Sequence, residues 1–257
     1  MSPSRVSMSG LKTAIILAAG IGSRLSPETD SVPKCLVRVD NRQILDYQLC
    51  ALEKTSINRV IIVGGYKSQK IKTFLKNRKN KVIIELIQNK DFLTTNNMYS
   101  LYLALKTTGL NDNVYFVLNG DVILEPKLAK EMDSISTSAI ATDRSNYFTE
   151  SMKISVKDGT IVDISKDIPF NNSYGVSIDF YRFEKADIKT IYEIIETKFI
   201  RKEKLNLWSE IAIREGLRSK NIKIIPLDIT GLIWWEIDNI EDIRPVSSWA
   251  KSQFPSV

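Results

Sequence analysis

The 257-residue chain contains no histidine, and that absence excludes several classes of catalytic site. Histidine-dependent catalytic triads, histidine zinc sites and histidine general bases all require the imidazole ring. Chemistry in this protein must therefore depend on carboxylates, amines, guanidinium groups, backbone dipoles or a bound metal ion. Phosphoryl transfer fits this restriction, because it relies on positioning and charge neutralisation more than on a side-chain base.

Cysteine and long apolar runs are also scarce. Cys35 and Cys50 are the two cysteines of the chain, too few for a four-thiolate zinc site or a disulfide framework, and we expect both to be small core residues. No apolar run approaches the length of about 18 residues that spans a bilayer. The run Ala14–Ala19 is too short for a signal-peptide core, so the sequence predicts a cytoplasmic protein with no membrane partner.

Positive charge exceeds negative charge, with 36 Lys and Arg against 30 Asp and Glu and a formal net charge of +6. A basic solvated surface explains this excess, and so does a polyanionic small substrate. Lysines concentrate in residues 67–81 and 198–204, which we interpret as amphipathic helices with solvated outer faces. No nucleic-acid-binding motif accompanies them, so we expect no nucleic-acid partner.

In the first half of the chain, short apolar strands alternate with helices. Such a rhythm favours a right-handed, doubly wound sheet, in which ligands bind beyond the carboxyl ends of the strands. The predicted elements are strands at Ala14–Ala18, Arg59–Val63, Val82–Ile87 and Tyr115–Leu118, and helices at Ile44–Leu52, Ser68–Leu75 and Met98–Lys106.

The second half is richer in strands, and Asp158-Gly159 is a hairpin signal between two of them. Gly216 is expected to end one of its helices. No linker or internal repeat interrupts the chain, so residues 1–10 are predicted as a flexible tail and residues 11–257 as one α/β domain. The predicted elements are strands at Ala139–Thr142, Met152–Val156, Thr160–Ile164, Tyr174–Tyr181, Ile222–Pro226 and Trp234–Glu236, and helices at Lys185–Thr197, Leu207–Glu215 and from Ile240.

The segment Ala14–Lys34 runs from a buried strand into a loop of small residues and then to two cations, Arg24 and Lys34. A loop with few side chains lets backbone N–H groups approach an anion, and this combination suits a nucleoside triphosphate. The segment Gly20–Arg24 lacks the third glycine of a dinucleotide fingerprint. It is not a P-loop either, because no Gly-Lys-Ser/Thr sequence closes it.

The small-residue loop resembles the signature of the nucleotidyltransferase superfamily, whose members make NDP-sugars and CDP-alcohols from an NTP and a phosphomonoester. The resemblance covers nearly the whole chain. It implies the Rossmann-like, doubly wound mixed sheet of nucleotide-diphospho-sugar transferases, with an NTP-binding half to about residue 125 and a strand-rich acceptor half from about residue 126. The matching segments are Ala18-Ala19-Gly20-x-Gly22-x-Arg24, Pro27, Thr29, Pro33-Lys34, Gly64-Gly65-Tyr66, Asn96–Ser100, Gly120-Asp121 and Glu236-Ile237-Asp238.

The resemblance implies that the first loop wraps the triphosphate through its backbone amides. Arg24 is then expected to hold the β- and γ-phosphates, and Lys34 to bridge the α-phosphate and the incoming phosphate as the second catalytic residue. One anionic phosphate that attacks another needs cations between them, so the physical reasoning agrees. The loop residues expected to contact ribose and phosphates are Ala18, Ala19, Gly20 and Gly22.

Asp121 ends an apolar strand, and Asp238 follows a short hydrophobic stretch. Carboxylates beside a phosphate site are natural Mg²⁺ ligands, and the resemblance implies that these two aspartates form the metal pair. The alternative for each is a capping role at a turn or at the last helix. Whether the site takes one Mg²⁺ ion or two stays open.

Base and acceptor contacts are assigned to residues farther along the chain. Gly65 allows backbone approach to the base, Gln88 is the candidate for reading the pyrimidine edge, and Asn96 is expected to cap a helix and touch the nucleotide or the acceptor. Lys153 is the candidate for the acceptor phosphate, and Trp235 or its neighbour Trp234 for a cation–π wall. Asp179 and Glu150 are the two candidates to pair with an amine of the acceptor, and the sequence does not decide between them.

The segment Asn96–Leu101 is similar to that of cytidylyltransferases of the phosphocholine and 2-aminoethylphosphonate type. This implies in-line attack of an acceptor phosphate or phosphonate oxygen on the α-phosphorus of CTP, with Mg²⁺ as cofactor and pyrophosphate as product. Two alternatives stay open: a sugar-1-phosphate or inositol-1-phosphate nucleotidyltransferase that uses UTP, TTP or CTP, and a non-catalytic nucleotide-binding regulatory relative. The acceptor, the pathway and the oligomeric state, a homo-oligomer included, are left undecided.

Overall fold

A computed structural model describes residues 11–145 and 150–253, so the predicted tail over residues 1–10 lies outside the described residues. The α-helices are α1 (Ile44–Leu52), α2 (Ser68–Asn77), α3 (Asn97–Thr108), α4 (Pro126–Ser134), α5 (Lys185–Ile194), α6 (Ser209–Arg218) and α7 (Ile243–Gln253). The strands are β1 (Lys12–Ala18), β2 (Arg38–Val39), β3 (Arg42–Gln43), β4 (Arg59–Gly64), β5 (Ile83–Gln88), β6 (Val114–Asn119), β7 (Val122–Leu124), β8 (Ala139–Asp143), β9 (Lys153–Lys157), β10 (Thr160–Ser165), β11 (Gly175–Glu184), β12 (Ile225–Asp228) and β13 (Trp234–Glu236).

A nine-stranded mixed sheet forms the centre of the fold, with the main order β10-β9-β11-β6-β1-β4-β5 and with β8 pairing to both β11 and β12. Strands β6, β1, β4 and β5 run parallel, whereas β11 pairs antiparallel with β6. All but the first residue of β1 are buried, as expected for a parallel strand covered on both faces. The predicted α/β fold with a mixed sheet is confirmed.

Alternate residues of the central strands supply two apolar cores, one on each face of the sheet. Ile15, Leu17 and Val117 face the side covered by α3, α5 and α6. Ile16 and Leu118 face the side covered by α1, α2 and α4. In the described part of the chain, no helix is long and apolar enough to cross a membrane.

Several local expectations meet different outcomes. Asp158 and Gly159 have φ of 51° and 73° and join β9 to β10, which confirms the predicted hairpin. The prediction that Gly216 ends a helix is wrong: α6 continues to Arg218, and a Cβ at Gly216 would lie 2.6 Å from the Ile222 side chain. This glycine is therefore required by close packing.

Short elements were the ones that sequence patterns missed. The hairpin β2–β3 and strand β7 contain only two or three residues per strand, which is too few to show a period. Helix α4 opens with Pro126 in its first turn, where proline is tolerated, and buries Leu128 and Met132. Cys35 is buried as expected, whereas Cys50 is only half-buried.

Candidate active site

A cavity of about 940 Å³ opens at the carboxyl ends of β1 and β6. Ala18 and Gly20 line it where β1 ends, and Asn119 and Asp121 line it where β6 ends. The second half of the chain also lines it, with residues from β11, α6 and β13. Ligands of doubly wound sheets bind at this edge, so the location agrees with the fold.

The loop after β1 is shaped by close backbone packing. Gly22 has a φ of 71°, and a Cβ there would lie 2.8 Å from the Lys34 Cβ, so only glycine lets the loop rest on this lysine. Thr29 donates a hydrogen bond from its hydroxyl to the Gly22 carbonyl at 3.0 Å. The Tyr66 backbone N–H donates to the Ala19 carbonyl at 3.1 Å. Together these contacts fix the small-residue loop beside the cavity.

Two cations and two carboxylates meet on the cavity wall. Lys34 Nζ lies 2.7 Å from Asp121 Oδ2 and 2.8 Å from Asp238 Oδ1. Arg24 Nη2 approaches the same Asp238 oxygen at 2.8 Å from a mostly exposed side chain. Burial acts to lower the pKa of Lys34, but the two carboxylates outweigh it and raise that pKa. Lys34 is therefore a fixed positive charge at neutral pH.

Two remote segments bring Asp121 and Asp238 together. Strands β7 and β13 pair antiparallel directly after Asp121 and before Asp238, and the Ile237 N–H donates to the Asp121 carbonyl at 3.0 Å. Asn239 forms a capping box with Asp242 at the turn that follows. The capping role therefore belongs to Asn239, and the Asp238 carboxylate faces the cations.

A third carboxylate, Glu236, joins this pair. One oxygen each from Asp121, Glu236 and Asp238 lie within 4.8 Å of one another. Asp121 Oδ1 is buried and has no hydrogen-bond partner among the described residues. Desolvation inside the cavity, followed by the charges of Asp121 and Asp238, raises the pKa of Glu236 to about 7. Three carboxylates, one of which has an unsatisfied oxygen, form a donor set that suits a hard divalent cation.

Elsewhere along the cavity, a second carboxylate pair surrounds Tyr181. Asp179 has a φ of 57° at a bulge in β11, and it accepts hydrogen bonds from Asn119 Nδ2 at 2.7 Å and from the Tyr181 hydroxyl at 2.8 Å. The same hydroxyl lies 2.7 Å from Glu210 Oε1. Burial, followed by the charges of Glu210 and Glu236, raises the pKa of Asp179, and burial also raises the pKa of Glu210.

Aromatic side chains complete this part of the cavity. Trp208 is 43% exposed, and Lys166 Nζ lies 4.7 Å from its ring centroid. Glu150 Oε2 lies 3.7 Å from the same Lys166 amine. Trp234 donates from Nε1 to Asp143 Oδ2 at 2.7 Å. The second half of the cavity is therefore acidic and aromatic, and it already holds one cation over an aromatic face.

The sequence profile of the nucleotidyl transferase family matches residues 13–149, which is more than half of the chain. The chain belongs to the nucleotidyl transferase family. Its classification as a nucleotidyltransferase enzyme confirms the predicted enzyme class. The match covers the loop after β1, the strands of the parallel sheet and Asp121, and it stops before β9.

Individual relatives extend the similarity to the whole length of the chain. The choline-phosphate cytidylyltransferase of Streptococcus pneumoniae is 25% identical over 93% of this chain and 99% of its own length. The CTP:phosphoglutamine cytidylyltransferase of Campylobacter jejuni is 26% identical over 90% of this chain and 97% of its own. The resemblance to cytidylyltransferases is therefore confirmed.

Solved structures agree with the fold. The CTP:phosphocholine cytidylyltransferase from S. pneumoniae superposes with a TM-score of 0.78 at 25% identity, and the similarity covers 94% of this chain and 100% of that one. The inositol-1-phosphate CTP transferase from T. maritima gives the same TM-score at 20% identity, covering 97% and 100%. The second comparison shows a shared fold alone.

Most of the residues predicted for the nucleotidyltransferase site lie on the cavity wall, and four do not. Gly22 packs behind Lys34, and a Cβ at Gly65 would lie 2.6 Å from both the Ala19 carbonyl oxygen and the Phe92 side chain, so both glycines support the loop from outside the cavity. The predicted residues that line the cavity are Ala18, Ala19, Gly20, Arg24, Lys34, Asn96, Asp121, Trp235 and Asp238.

The structure places Gln88 outside the cavity, which corrects its predicted role at the base. Gln88 is exposed at the end of β5, whereas the next residue, Asn89, is buried and lines the cavity. Successive residues of an extended chain point to opposite sides, so a shift of one position exchanges the two. Asn89 Nδ2 donates to Thr95 Oγ1 at 3.0 Å and to Ser100 Oγ at 3.2 Å.

Lys153 is also placed away from the cavity. Its side chain is buried at the start of β9, with Nζ 3.3 Å from the Ser151 carbonyl oxygen. The lysine that lines the second half of the cavity is Lys166, which follows β10. Sequence reasoning gave no signal for Lys166 or for Glu210, because their neighbours are brought together only by the tertiary fold.

Two other predicted residues have clear local roles. Asn96 caps α3, with its side-chain oxygen accepting from the Asn97 N–H at 2.8 Å, and it also lines the cavity. Trp235 packs against Trp249 with ring centroids 4.9 Å apart while one part of it faces the cavity. Glu236 belongs to the motif Glu236-Ile237-Asp238. Its position two residues before Asp238 is the sequence feature that indicates a third carboxylate.

Proposed function

We propose that this protein is a Mg²⁺-dependent cytidylyltransferase of the cytoplasm. It transfers CMP from CTP to a small phosphomonoester or phosphonate that also carries a cationic amine, and it releases pyrophosphate. The observation that carries the proposal is one cavity that brings two cations and a carboxylate cluster together with a separate group of carboxylates and aromatic rings. Arg24 and Lys34 stand on the nucleotide side, and Asp179, Glu210 and Trp208 stand on the acceptor side.

On the nucleotide side, the loop after β1 offers backbone N–H groups and no bulky side chains to the triphosphate. Arg24 is the proposed partner of the leaving pyrophosphate, and Lys34 of the α-phosphate and the attacking oxygen. The raised pKa of Lys34 keeps the ammonium charged where negative charge accumulates. Asn89, with its amide held by Thr95 and Ser100, is the proposed polar contact for the base.

The carboxylate cluster fits the metal ion that nucleotidyl transfer uses. Asp121, Glu236 and Asp238 would hold Mg²⁺, and the unsatisfied Asp121 Oδ1 supplies an oxygen that no protein group occupies. When bound, the ion neutralises phosphate charge. Lys34 pairs with Asp121 and Asp238, and Arg24 pairs with Asp238.

On the acceptor side, Asp179 and Glu210 place buried carboxylates where an ammonium group would be recognised. Trp208 adds an aromatic face, and the Lys166 amine lies 4.7 Å from its ring centroid, which supports a cation contact at this surface. Lys166 replaces Lys153 as the proposed contact for the acceptor phosphate. The acceptor oxygen is ionised before it attacks, so the transfer needs no general base, in agreement with a chain that lacks histidine.

The relatives support this choice. The choline-phosphate cytidylyltransferase and the CTP:phosphoglutamine cytidylyltransferase match 93% and 90% of the chain. A non-catalytic regulatory relative is disfavoured because Arg24, Lys34, Asp121 and Asp238 are all present and in contact. The sugar-1-phosphate alternative would leave the buried Asp179–Glu210 pair without a cationic partner.

The test is a pyrophosphate-release assay of the purified protein with Mg²⁺, the four NTPs and a panel of acceptors. The panel contains phosphocholine, 2-aminoethylphosphonate, inositol 1-phosphate and hexose 1-phosphates. We expect turnover with CTP and an amine-bearing acceptor, and its loss in EDTA. Preferential turnover of UTP or TTP with a hexose 1-phosphate would replace the proposal with the sugar alternative, and silence across the panel would favour the regulatory one.

A further inference from the structure

One polar side chain in the core has no role in the site described so far. Gln48 lies in the middle of α1 and is 0% exposed. Its Nε2 donates to the Asn119 carbonyl oxygen at 2.7 Å and to the Val122 carbonyl oxygen at 2.8 Å. These two carbonyls flank Gly120 and Asp121. A single amide group therefore holds both ends of the turn that carries a proposed metal ligand.

The turn itself has little freedom once its ends are held. The Gly120 N–H donates to the Leu17 carbonyl at 2.9 Å, and a Cβ at Gly120 would lie 2.8 Å from that same oxygen. The Asp121 carbonyl accepts from the Ile237 N–H at 3.0 Å, one residue before Asp238. A shift of the turn would therefore move both proposed metal ligands, because this backbone hydrogen bond connects them.

The Gln48 amide combines one unsatisfied oxygen with two donated hydrogen bonds to the turn. Gln48 Oε1 is buried and has no hydrogen-bond partner among the described residues, which is costly for a polar atom. Its neighbours on α1, Leu45, Leu49 and Leu52, belong to the apolar core. An apolar residue of similar volume would remove this oxygen, but it would also remove the donor to the Asn119 and Val122 carbonyls. The two donated hydrogen bonds are what the glutamine provides.

We propose that Gln48 is a positioning residue for the Asp121–Asp238 metal site, acting through the backbone of the turn at residues 119–122. The inference rests on the proposed Mg²⁺-dependent function. Gln48 is absent from the residues that line the cavity within the described chain, so its effect is transmitted through Asp121. Groups that orient a metal ligand commonly change metal affinity or activity by about 10- to 100-fold when they are removed.

The direct test compares Gln48→Met with the unaltered protein by calorimetry. Binding of CTP is measured with MnCl₂ and again in EDTA, without any acceptor. We expect Mn²⁺ to tighten CTP binding in the unaltered protein. In Gln48→Met, the ratio of the CTP affinity with Mn²⁺ to the affinity in EDTA should be about tenfold smaller. The affinity for CTP in EDTA should change less than about twofold. Leu49→Met, a volume-conserving change in the same helix, is the matched control and should leave both affinities unchanged.

A double-mutant cycle asks whether Gln48 acts through Asp121. In the Asp121→Asn background, Gln48→Met should change kcat by less than about twofold, although alone it lowers kcat about tenfold or more. Additive effects of the two substitutions would overturn the proposal, and so would an unchanged metal-dependent gain in Gln48→Met.

Two further outcomes separate this inference from the proposed function. We expect Gln48→Met and Gln48→Leu to fold, because side chains of similar volume suit this apolar surrounding and the loss of an unsatisfied oxygen offsets part of the cost of the two lost hydrogen bonds; failure of both to fold would overturn the positioning role in favour of a structural one. No effect of Mn²⁺ on CTP binding by the unaltered protein would overturn the proposed metal-dependent function and this inference together. A normal Mn²⁺ effect that survives in Gln48→Met removes the inference alone.

Discussion

The two sides of the cavity differ in the residues that line them and in the part of the chain that supplies those residues. On the proposed nucleotide wall, Arg24 and Lys34 lie near the small-residue loop after β1, whose backbone is the proposed contact for the triphosphate. On the acceptor wall, Asp179 and Glu210 present buried carboxylates from β11 and α6. Backbone recognition depends on loop shape, whereas side-chain recognition depends on residue identity. Substitutions should therefore separate into effects on nucleotide transfer and effects on acceptor choice.

The largest effect is expected at Lys34. Lys34→Met keeps the aliphatic stem under Gly22 but removes the charge beside the reacting phosphates, so kcat should fall by about 10²- to 10³-fold. Steady-state kinetics with CTP and the preferred acceptor would measure it, with exposed Lys72→Met as the control. Near-normal turnover in a folded Lys34→Met protein would contradict the role given to the nucleotide wall.

A smaller and more selective effect is expected at Glu210. Glu210→Gln removes one carboxylate charge while an amide oxygen remains near Tyr181, so KM for an amine-bearing acceptor should rise about tenfold. KM for CTP should change little. Glu215→Gln, on the same helix but paired with Lys198 outside the cavity, is the control. An equal rise in KM for CTP would erase the distinction between the two walls.

Trp208 should contribute less again, because its ring is 43% exposed. An exposed cation–π contact is worth about 0.5 to 1 kcal/mol, so Trp208→Leu should raise KM for phosphocholine about two- to fivefold. The analogue 3,3-dimethylbutyl phosphate, which has no cationic group, tests whether the cation–π contact is the cause. Its KM should not rise in Trp208→Leu. Parallel changes for the two acceptors would mean that Trp208 provides apolar contact only.

The smallest effect concerns stability and should leave both walls intact. Asp163 on β10 binds Arg214 at 2.7 Å and Arg218 at 3.2 Å on the outer face of α6. Burial acts to raise its pKa, but the two guanidinium groups lower that pKa below the ordinary 3.8. A lowered pKa means stabilisation that is complete above pH 3.8 and is lost as pH falls through the folded-state value.

Asp163→Asn should therefore reduce the free energy of unfolding by about 1 kcal/mol at pH 7, a modest value because these pairs are partly exposed. The difference should shrink as the pH falls below 3.8. Urea unfolding at pH 7 and at a pH below 3.8 measures this difference in the free energy of unfolding. The kcat and the KM values for CTP and for the acceptor should stay unchanged. A changed acceptor KM would show that anchoring of α6 reaches Glu210.

The nucleotide wall could be predicted from sequence because its residues follow one another. Residues 18–34 form a continuous run whose spacing carries the signature, and Ala18, Ala19, Gly20, Arg24 and Lys34 of this run line the cavity. The acceptor wall is assembled from β11, α6 and the segment after β10, which are distant in sequence. No local pattern joins Lys166 to Glu210, so the sequence favours Lys153, whereas the lysine that lines this part of the cavity is Lys166.

The same distinction holds for the fold. Long apolar strands such as β1 and β4 were predicted within one or two residues, because burial on both faces leaves continuous apolar runs. The short strand β7 carries no such signal, yet its pairing with β13 brings Asp121 to Asp238. The prediction of Gln88 rather than Asn89 as the base contact has the same origin. The sequence pattern predicts strand β5 but not the residue at which it ends.

Strand β11 has a practical consequence for exchanging acceptor specificity between relatives. Along Phe180–Glu184 it is paired with residues 114–118 of β6, while its earlier residues pair with β8 and β9 and carry Asp179. A transplant of residues 126–253 as one block would pair β11 of the donor with β6 of the recipient. This pairing would be a new interface inside the central sheet. A functional chimera should instead keep the recipient's Phe180–Glu184 and graft only the donor segments on the cavity side of the bulge.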